Sequence, residues 1–149
     1  EPDVLEALAI KSRDHGRTPV PWDGSPQGGF TTGTPWIAMN PDHDRVNVAA
    51  ALADPDSVLH HYRRLIAMRH DDPLVVDGRF ALLLPDDPAL FAYTRSLGPT
   101  VLTVLANWSS SPVAVPAGFP DGTPVLGTHA RQEAGVLAPW ESRVWRTTG

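Results

Sequence analysis

Residues 101–108 read Val101-Leu102-Thr103-Val104-Leu105-Ala106-Asn107-Trp108, with no glycine, proline or charge in the run. β-branched and aliphatic side chains suit a pleated, buried surface. Successive side chains on a strand point to opposite faces. Val101, Thr103 and Leu105 therefore share one face, and Leu102, Val104 and Ala106 the other. Apolar residues on both faces predict a central strand covered on each side. Further short segments read as strands at 78–84, 89–96, 113–115, 124–127 and 142–147, each bounded by Pro, Gly, Asp or Ser. This spacing predicts an all-β stretch from Leu74 to Gly149, folded as a small antiparallel sandwich. Its core is thin, so docking on the preceding helix helps stabilise it.

That helix is predicted over 56–70. Asp54 or Asp56 can cap it, and Pro55 suits a first-turn position. Val58, Tyr62, Leu65, Ile66 and Arg69 recur at helical spacing and make one face apolar. Asp71-Asp72-Pro73 ends it, because the residue before proline avoids the helical region. A shorter helical segment opens the chain over 2–10, with Val4, Leu5, Leu8 and Ala9 on one side. The long loop between the two is rich in Gly, Pro, Thr and Trp. A loop of that length inside a compact domain is functional or disordered. Trp22, Phe30 and Trp36, with Tyr62 just beyond, argue for order.

Composition narrows the function classes. The 149 residues suit one domain, or a small domain with part of another. The 16 Pro and 12 Gly are spread along the chain, as expected for short elements joined by turns. A net charge of −5 without any Lys/Arg run argues against a nucleic-acid surface, and Arg63-Arg64 reads as a solvated helix face. With no cysteine, a disulfide, a thiolate nucleophile and a Cys-based metal site are all excluded. The 6 histidines share no ligand spacing. Asp42 and Asp44 lack the spacing of a calcium loop and read as a turn, as do Asp86-Asp87 and Ser109-Ser110-Ser111. No metal and no cofactor are expected. No apolar stretch approaches the roughly 20 residues that span a bilayer, so no membrane association is expected; the lack of cysteine is compatible with a cytoplasmic location, which is the expectation here. No oligomeric state is read from the sequence.

The segment Ser12-Arg13-Asp14-His15-Gly16-Arg17-Thr18-Pro19-Val20-Pro21-Trp22-Asp23 resembles the Ser-Arg-Asp-(Asn/His)-Ala-Arg-Thr-Pro-Met-Gln-Trp-Asp block of oligo-1,6-glucosidases and α-glucosidases of the α-amylase superfamily. Gly29-Phe30-Thr31-Thr32-Gly33, Pro35-Trp36-Ile37, Asn40-Pro41 and Val46-Asn47-Val48 fit the same enzymes. So do the helix, Leu90-Phe91-Ala92-Tyr93, Leu105-Ala106-Asn107-Trp108, and Leu137-Ala138-Pro139-Trp140-Glu141 with its closing Pro-(aromatic)-Glu turn. The resemblance thus covers nearly the whole chain. Gly16, Val20 and Pro21 depart from Ala, Met and Gln. Pro21 removes a side-chain amide and fixes φ, which bears on substrate preference.

The resemblance implies an α+β fragment. Residues 1–72 would close a (β/α)₈ barrel, supplying the long loop after its eighth strand and its eighth helix. Residues 73–149 would be the appended β-sandwich domain. Loops after barrel strands line the catalytic face. Retaining glycosidases need two carboxyl groups about 5 Å apart. In this family these lie upstream with a third Asp, so no residue here is expected to be catalytic and the chain alone should be inactive. Arg13 and Arg17 are the candidate substrate-binding residues. By resemblance Arg13 reaches the terminal glucose and Arg17 the next sugar site, and a guanidinium offers a fixed fork of donors for hydroxyls. The other reading of both is a loop-bracing salt bridge. Asp14 and Asp23 read as stabilising the loop. Trp22, Phe30 and Trp36 either pack the loop onto the barrel or stack on sugars.

The implied function is that of a C-terminal fragment of a retaining α-glucosidase. The full-length enzyme would cleave α-1,4 or α-1,6 bonds of short oligosaccharides, its partner being an α-glucosidic oligosaccharide. Two alternatives stay open. One is a non-catalytic sugar-binding or structural sandwich; against it, Trp108, Trp140 and Trp145 fall at core or corner positions and leave no aromatic platform. The other is a fragment of a trehalose- or isomaltulose-forming isomerase, from which Gly-Phe-Thr-Thr-Gly leans away. Without barrel strands beside them, Trp22, Trp36, Leu65 and Ile66 are expected to be exposed.

Overall fold

A computed structural model describes residues 3–11 and 13–149. Pro2, where the first helix was expected to begin, and Ser12 of the arginine block lie outside the described residues. The chain divides into two compact units, Glu1–His60 and His61–Gly149.

The first unit opens with α1 (Val4–Lys11), none of whose residues is buried. Two 3₁₀ turns follow, Asp14–Gly16 and Pro26–Gly29. A second helix, α2 (Val48–Ala53), stands where the sequence suggested only loop. Asn47 makes it possible: its Oδ1 accepts from the Ala50 N–H at 2.8 Å, the capping bond that the first helical turn lacks.

The long helix, α3, runs Val58–Asp71. It starts later than expected, because Asp54 and Asp56 are not its caps. Asp54 Oδ1 instead accepts from the Asp56 N–H, holding a turn through Pro55. Ser57 takes the capping role: its Oγ accepts from the His60 N–H at 3.4 Å and donates to the Ala51 carbonyl at 2.6 Å. Val58, Tyr62, Leu65 and Ile66 are exposed, as are Trp22 and Trp36.

Asp72 ends α3 in an extended conformation and at once caps α4 (Pro73–Asp77), accepting from the Leu74 N–H at 3.0 Å. The stretch from Leu74 onward is therefore not all β. One dipeptide does both jobs, since proline drives the residue before it out of the helix yet suits the first helical position itself.

Seven strands follow: β1 (Arg79–Leu83), β2 (Leu90–Leu97), β3 (Thr100–Asn107), β4 (Val113–Ala114), β5 (Leu126–Gly127), β6 (Val136–Leu137) and β7 (Ser142–Thr148). Only β6, two residues long, was not anticipated. The main sheet is antiparallel with order β1-β2-β3-β7-β5, and β4 pairs with β6 in a second, smaller sheet. As expected, β3 is central. Its Leu105 face joins Leu90, Ala92 and Trp145 with Leu137 from the small sheet in the core, and Leu83, Val113, Val115 and Phe119 pack around them. The two sheets thus form a sandwich-like layer pair.

The other face of β3 is covered unevenly, not throughout as expected. At one end α4 packs on β2 and β3, and Leu74 and Leu102 are buried. Arg95 ties this end down by donating to the Leu74 and Val76 carbonyls, and Arg146 Nη2 donates to both carboxylate oxygens of Asp72 at 2.8–2.9 Å. Beyond α4 the face carries Phe80, Tyr93 and Phe91, with ring centroids 5.3 and 5.6 Å apart along the series. Phe80, Leu82 and Phe91 remain exposed there.

Candidate functional site

Residues 13–17 of the arginine block fold as one tight turn. The Gly16 N–H donates to the Arg13 carbonyl at 3.3 Å and the Arg17 N–H to the Asp14 carbonyl at 2.9 Å. The turn sets Arg13 at its entrance and Arg17 at its exit, both exposed. Arg17 Nη1 lies 4.0 Å from Asp14 Oδ1, and both side chains are well exposed. Such a surface pair contributes little, so it leaves the Arg17 guanidinium available. Among the described residues Arg13 has no ion pair.

The loop beyond is braced rather than loose. Asp23 Oδ1 accepts from the Ser25 N–H at 2.9 Å and from the Ser25 hydroxyl at 2.5 Å. These two bonds, the hydroxyl one first, hold the Asp23 carboxyl below its ordinary value. Gln27, Gly28 and Gly29 then take positive φ in succession. Gly28 is required: a Cβ there would lie 3.0 Å from Pro21 Cα and 3.1 Å from Met39 Cε. Its carbonyl accepts from the Trp22 N–H at 2.7 Å and the Asp23 N–H at 3.3 Å. The carbonyls of Pro21 and Trp22 in turn accept from Val48 and Ala49, both at 2.9 Å. Two N–H groups of the first turn of α2, which have no partner inside the helix, are satisfied in this way. Asn47 closes the arrangement by donating through Nδ2 to the His43 carbonyl at 2.9 Å.

Pro21, one of the three departures from the family pattern, fits this scheme. Its bracing contact uses a carbonyl, which proline retains, and it has no N–H to satisfy. Asp42 and Asp44 lie in a turn, as read from sequence, with the Arg45 and Val46 N–H groups donating to the Asp42 carbonyl. Val20, Trp22 and Phe30 are about half exposed and Trp36 is 100 % exposed. Among the described residues no three His, Asp or Glu side chains are grouped to hold a metal ion.

In the second unit the sequence missed its organising polar groups. Asn107 is buried. Its Nδ2 donates to the Ser111 carbonyl at 2.7 Å and the Ala138 carbonyl at 2.9 Å. Its Oδ1 accepts from the Ser109 N–H and hydroxyl at 2.9 and 2.7 Å. Glu141 Oε2 accepts from the Ala138 N–H at 2.7 Å, and Glu141 Oε1 pairs with Arg143 Nε at 2.6 Å. The Pro-Trp-Glu turn was the sequence signal for this cluster, but nothing in it marked Glu141 as buried. The three tryptophans occupy core or corner positions as expected, but the two at corners are exposed, so the expected lack of exposed aromatics does not hold. Trp145 is in the core, but Trp108 is 66 % and Trp140 60 % exposed. The cause lies in the backbone. Trp108 follows Asn107 off the end of β3, and Trp140 sits at φ 60° in a turn clamped through Ala138.

A braced loop with two exposed arginines, a long helix and a two-layered β unit follow one another in the order that the resemblance implies. The family described as Alpha amylase, catalytic domain, matches residues 1–78. The oligo-1,6-glucosidase of Parageobacillus thermoglucosidasius is 41 % identical over 153 residues, covering 97 % of this chain and 27 % of that protein. Among solved structures, the trehalose-6-phosphate hydrolase of Bacillus licheniformis superimposes with a TM-score of 0.86 at 30 % identity, covering 97 % of this chain and 28 % of that one. The isomaltulose synthase of Klebsiella sp. LX3 gives 0.84 at 34 % identity, covering 95 % and 27 %. This chain belongs to the α-amylase family and is homologous to its oligo-1,6-glucosidase-like members. It spans about a quarter of the length of the curated relatives it matches. No helix among the described residues is long and apolar enough to cross a membrane.

Proposed function

We propose that this chain forms the C-terminal part of a retaining α-glucosidase acting on α-1,4 or α-1,6 bonds of short oligosaccharides. Residues 1–72 close the catalytic (β/α)₈ barrel and residues 73–149 form the appended β domain. Arg13 and Arg17 bind the sugar, Arg13 at the terminal glucose and Arg17 at the next ring. The observation that carries this reading is the turn at Asp14–Gly16, which holds both arginines exposed at its two ends. A guanidinium supplies several donors in one plane and stays charged at any working pH, so it suits hydroxyls beside ionised carboxylates. Those carboxylates belong to the barrel upstream, so the chain alone has no turnover. The enzyme works in the cytoplasm.

The test is Arg13→Ala in a full-length enzyme carrying this segment. Loss of a charged hydrogen-bond donor costs about 1.5–3 kcal/mol, so kcat/KM falls by about one to two orders of magnitude. An unchanged kcat/KM defeats the binding role. The purified chain should leave p-nitrophenyl α-glucoside untouched. The likeness to isomaltulose synthase supports a second reading, glucosyl transfer within the substrate. Product analysis separates the two: free glucose marks hydrolysis, and an isomeric disaccharide marks transfer.

A further inference from the structure

We propose that the β unit carries a second binding site, for an uncharged polyhydroxy ligand such as a mono- or disaccharide, in a polar cavity floored by Arg143. The cavity has a volume of about 440 Å³, within the range of small-molecule sites. Asp121, Thr123, Gln132, Glu133 and Arg143 line it together with small residues. The Arg143 side chain is only 6 % exposed. Its Nε is bound by Glu141 at 2.6 Å and its Nη2 by the Val136 carbonyl at 2.6 Å. Nη1 has no hydrogen-bond partner among the described residues. Arg143 lines the cavity, and its uncommitted nitrogen can offer donors to a ligand there.

The charges select the ligand. Glu141 neutralises Arg143 at the floor, so no net positive charge remains to hold an anion. The Asp121 and Glu133 carboxylates on the rim oppose an anion further. They and the Gln132 carbonyl accept hydrogen bonds, whereas Arg143, Thr123 and the Gln132 amide donate them. A sugar hydroxyl both donates and accepts, so neighbouring hydroxyls use this mixed set without a charge of their own. The wall is preformed: Trp145 Nε1–H donates to the Gly122 carbonyl at 2.8 Å and holds that edge of the cavity. Preorganisation lowers the entropic cost of binding.

Only the choice of glucose and maltose as probes rests on the function proposed above. The experiment is an NMR titration of the ¹⁵N-labelled chain with glucose, maltose and inorganic phosphate in separate arms. Saturable shifts of the Trp145 indole N–H, the Gln132 side-chain amide and the Arg143 Nε–H with sugar are expected, with dissociation in the millimolar range. Gln132→Ala and Glu133→Ala lie on the exposed rim and leave the fold intact. Each should weaken sugar binding by about three- to tenfold, the loss of one hydrogen bond. Three results overturn the proposal: no saturable sugar shift, shifts confined to the exposed Trp108 and Trp140 indoles, or rim variants that bind as before. Phosphate binding at least as strong as sugar overturns the uncharged assignment. All these readouts are binding to this chain, so they stand apart from the turnover assays that test the proposed hydrolase.

Discussion

Glu141 and Arg143 form an ion pair inside the β unit, Oε1 to Nε 2.6 Å, with side chains only 1 % and 6 % exposed. Each partner has a second bond. Glu141 accepts from the Ala138 N–H, and Arg143 donates to the Val136 carbonyl. Burying two charges is costly, and a pair of this kind repays the cost only with good geometry and further hydrogen bonds. Removing one partner is therefore worse than removing both. Glu141→Ala should destabilise the β unit by about 3–5 kcal/mol, read as a lower urea midpoint. The double change Glu141→Gln with Arg143→Met should cost markedly less than Glu141→Ala, and an equal or larger loss would show that the pair itself stabilises.

Asn107 joins the loop after β3 to the turn before β7 through four bonds shorter than 3.0 Å. Asn107→Ala removes one donor each from the Ser111 and Ala138 carbonyls, which keep the Ser109 hydroxyl and the Glu141 N–H, and leaves the Ser109 N–H without its acceptor. A buried group left without its partner costs about 1–3 kcal/mol. The unit should lose about 1–3 kcal/mol, and the Ser109 amide should exchange its proton faster. Asn107→Asp keeps the acceptor but not the donor, so only Ser109 should stay protected. Equal protection in the alanine variant would contradict the clamp.

Gly28 stands at φ 59° with Pro21 Cα 3.0 Å from where a Cβ would be. Gly28→Ala meets both the left-handed penalty and a backbone contact, together about 1–3 kcal/mol. The local consequence is more telling. The Trp22 and Asp23 N–H groups bond the Gly28 carbonyl, so their hydrogen-exchange protection should fall first. If their protection matches the parent chain, the turn does not depend on this glycine.

Asp23 gives the loop a pH dependence of known sign. Its folded carboxyl titrates below the ordinary 3.8 because Ser25 donates to it twice. A depressed folded value means that the stabilisation is complete above the unfolded value and is lost as pH falls through the folded one. Loop order should thus hold at neutral pH and weaken only under acid below 3.8. Ser25→Ala should move the Asp23 carboxyl titration, followed by ¹³C NMR, back up toward 3.8. A midpoint unmoved by the substitution would rule out Ser25 as the cause.

The strands were readable because their signals are local. Alternation along 101–108 and flanking turn residues depend on neighbours in sequence, and β3 lies at Thr100–Asn107 in the centre of the sheet. The second break in the helical region was also local, but its two halves competed. Asp72-Pro73 was read only as a stop, whereas it also starts α4. Ser57 was overlooked as a cap because Asp54 and Asp56 looked better until the turn through Pro55 used them. The arginine pair was legible as a motif. That one turn sets both at its ends was not, since the bonds Arg13–Gly16 and Asp14–Arg17 depend on the backbone path.

By itself the sequence determined the family, the order of the principal helices and strands, and the candidate arginines, because these follow from short-range pattern and from a contiguous block of residue types. The tertiary structure alone decided which polar groups are buried. Asn107, Glu141 and Arg143 look like ordinary surface residues in the chain, and they become interior only when β6, β7 and the loop after β3 converge. Trp108 and Trp140 hold the corner positions expected of them, but the backbone there turns their side chains outward. For these polar and corner residues burial depends on what they are brought next to over long chain separations, which the local pattern does not encode.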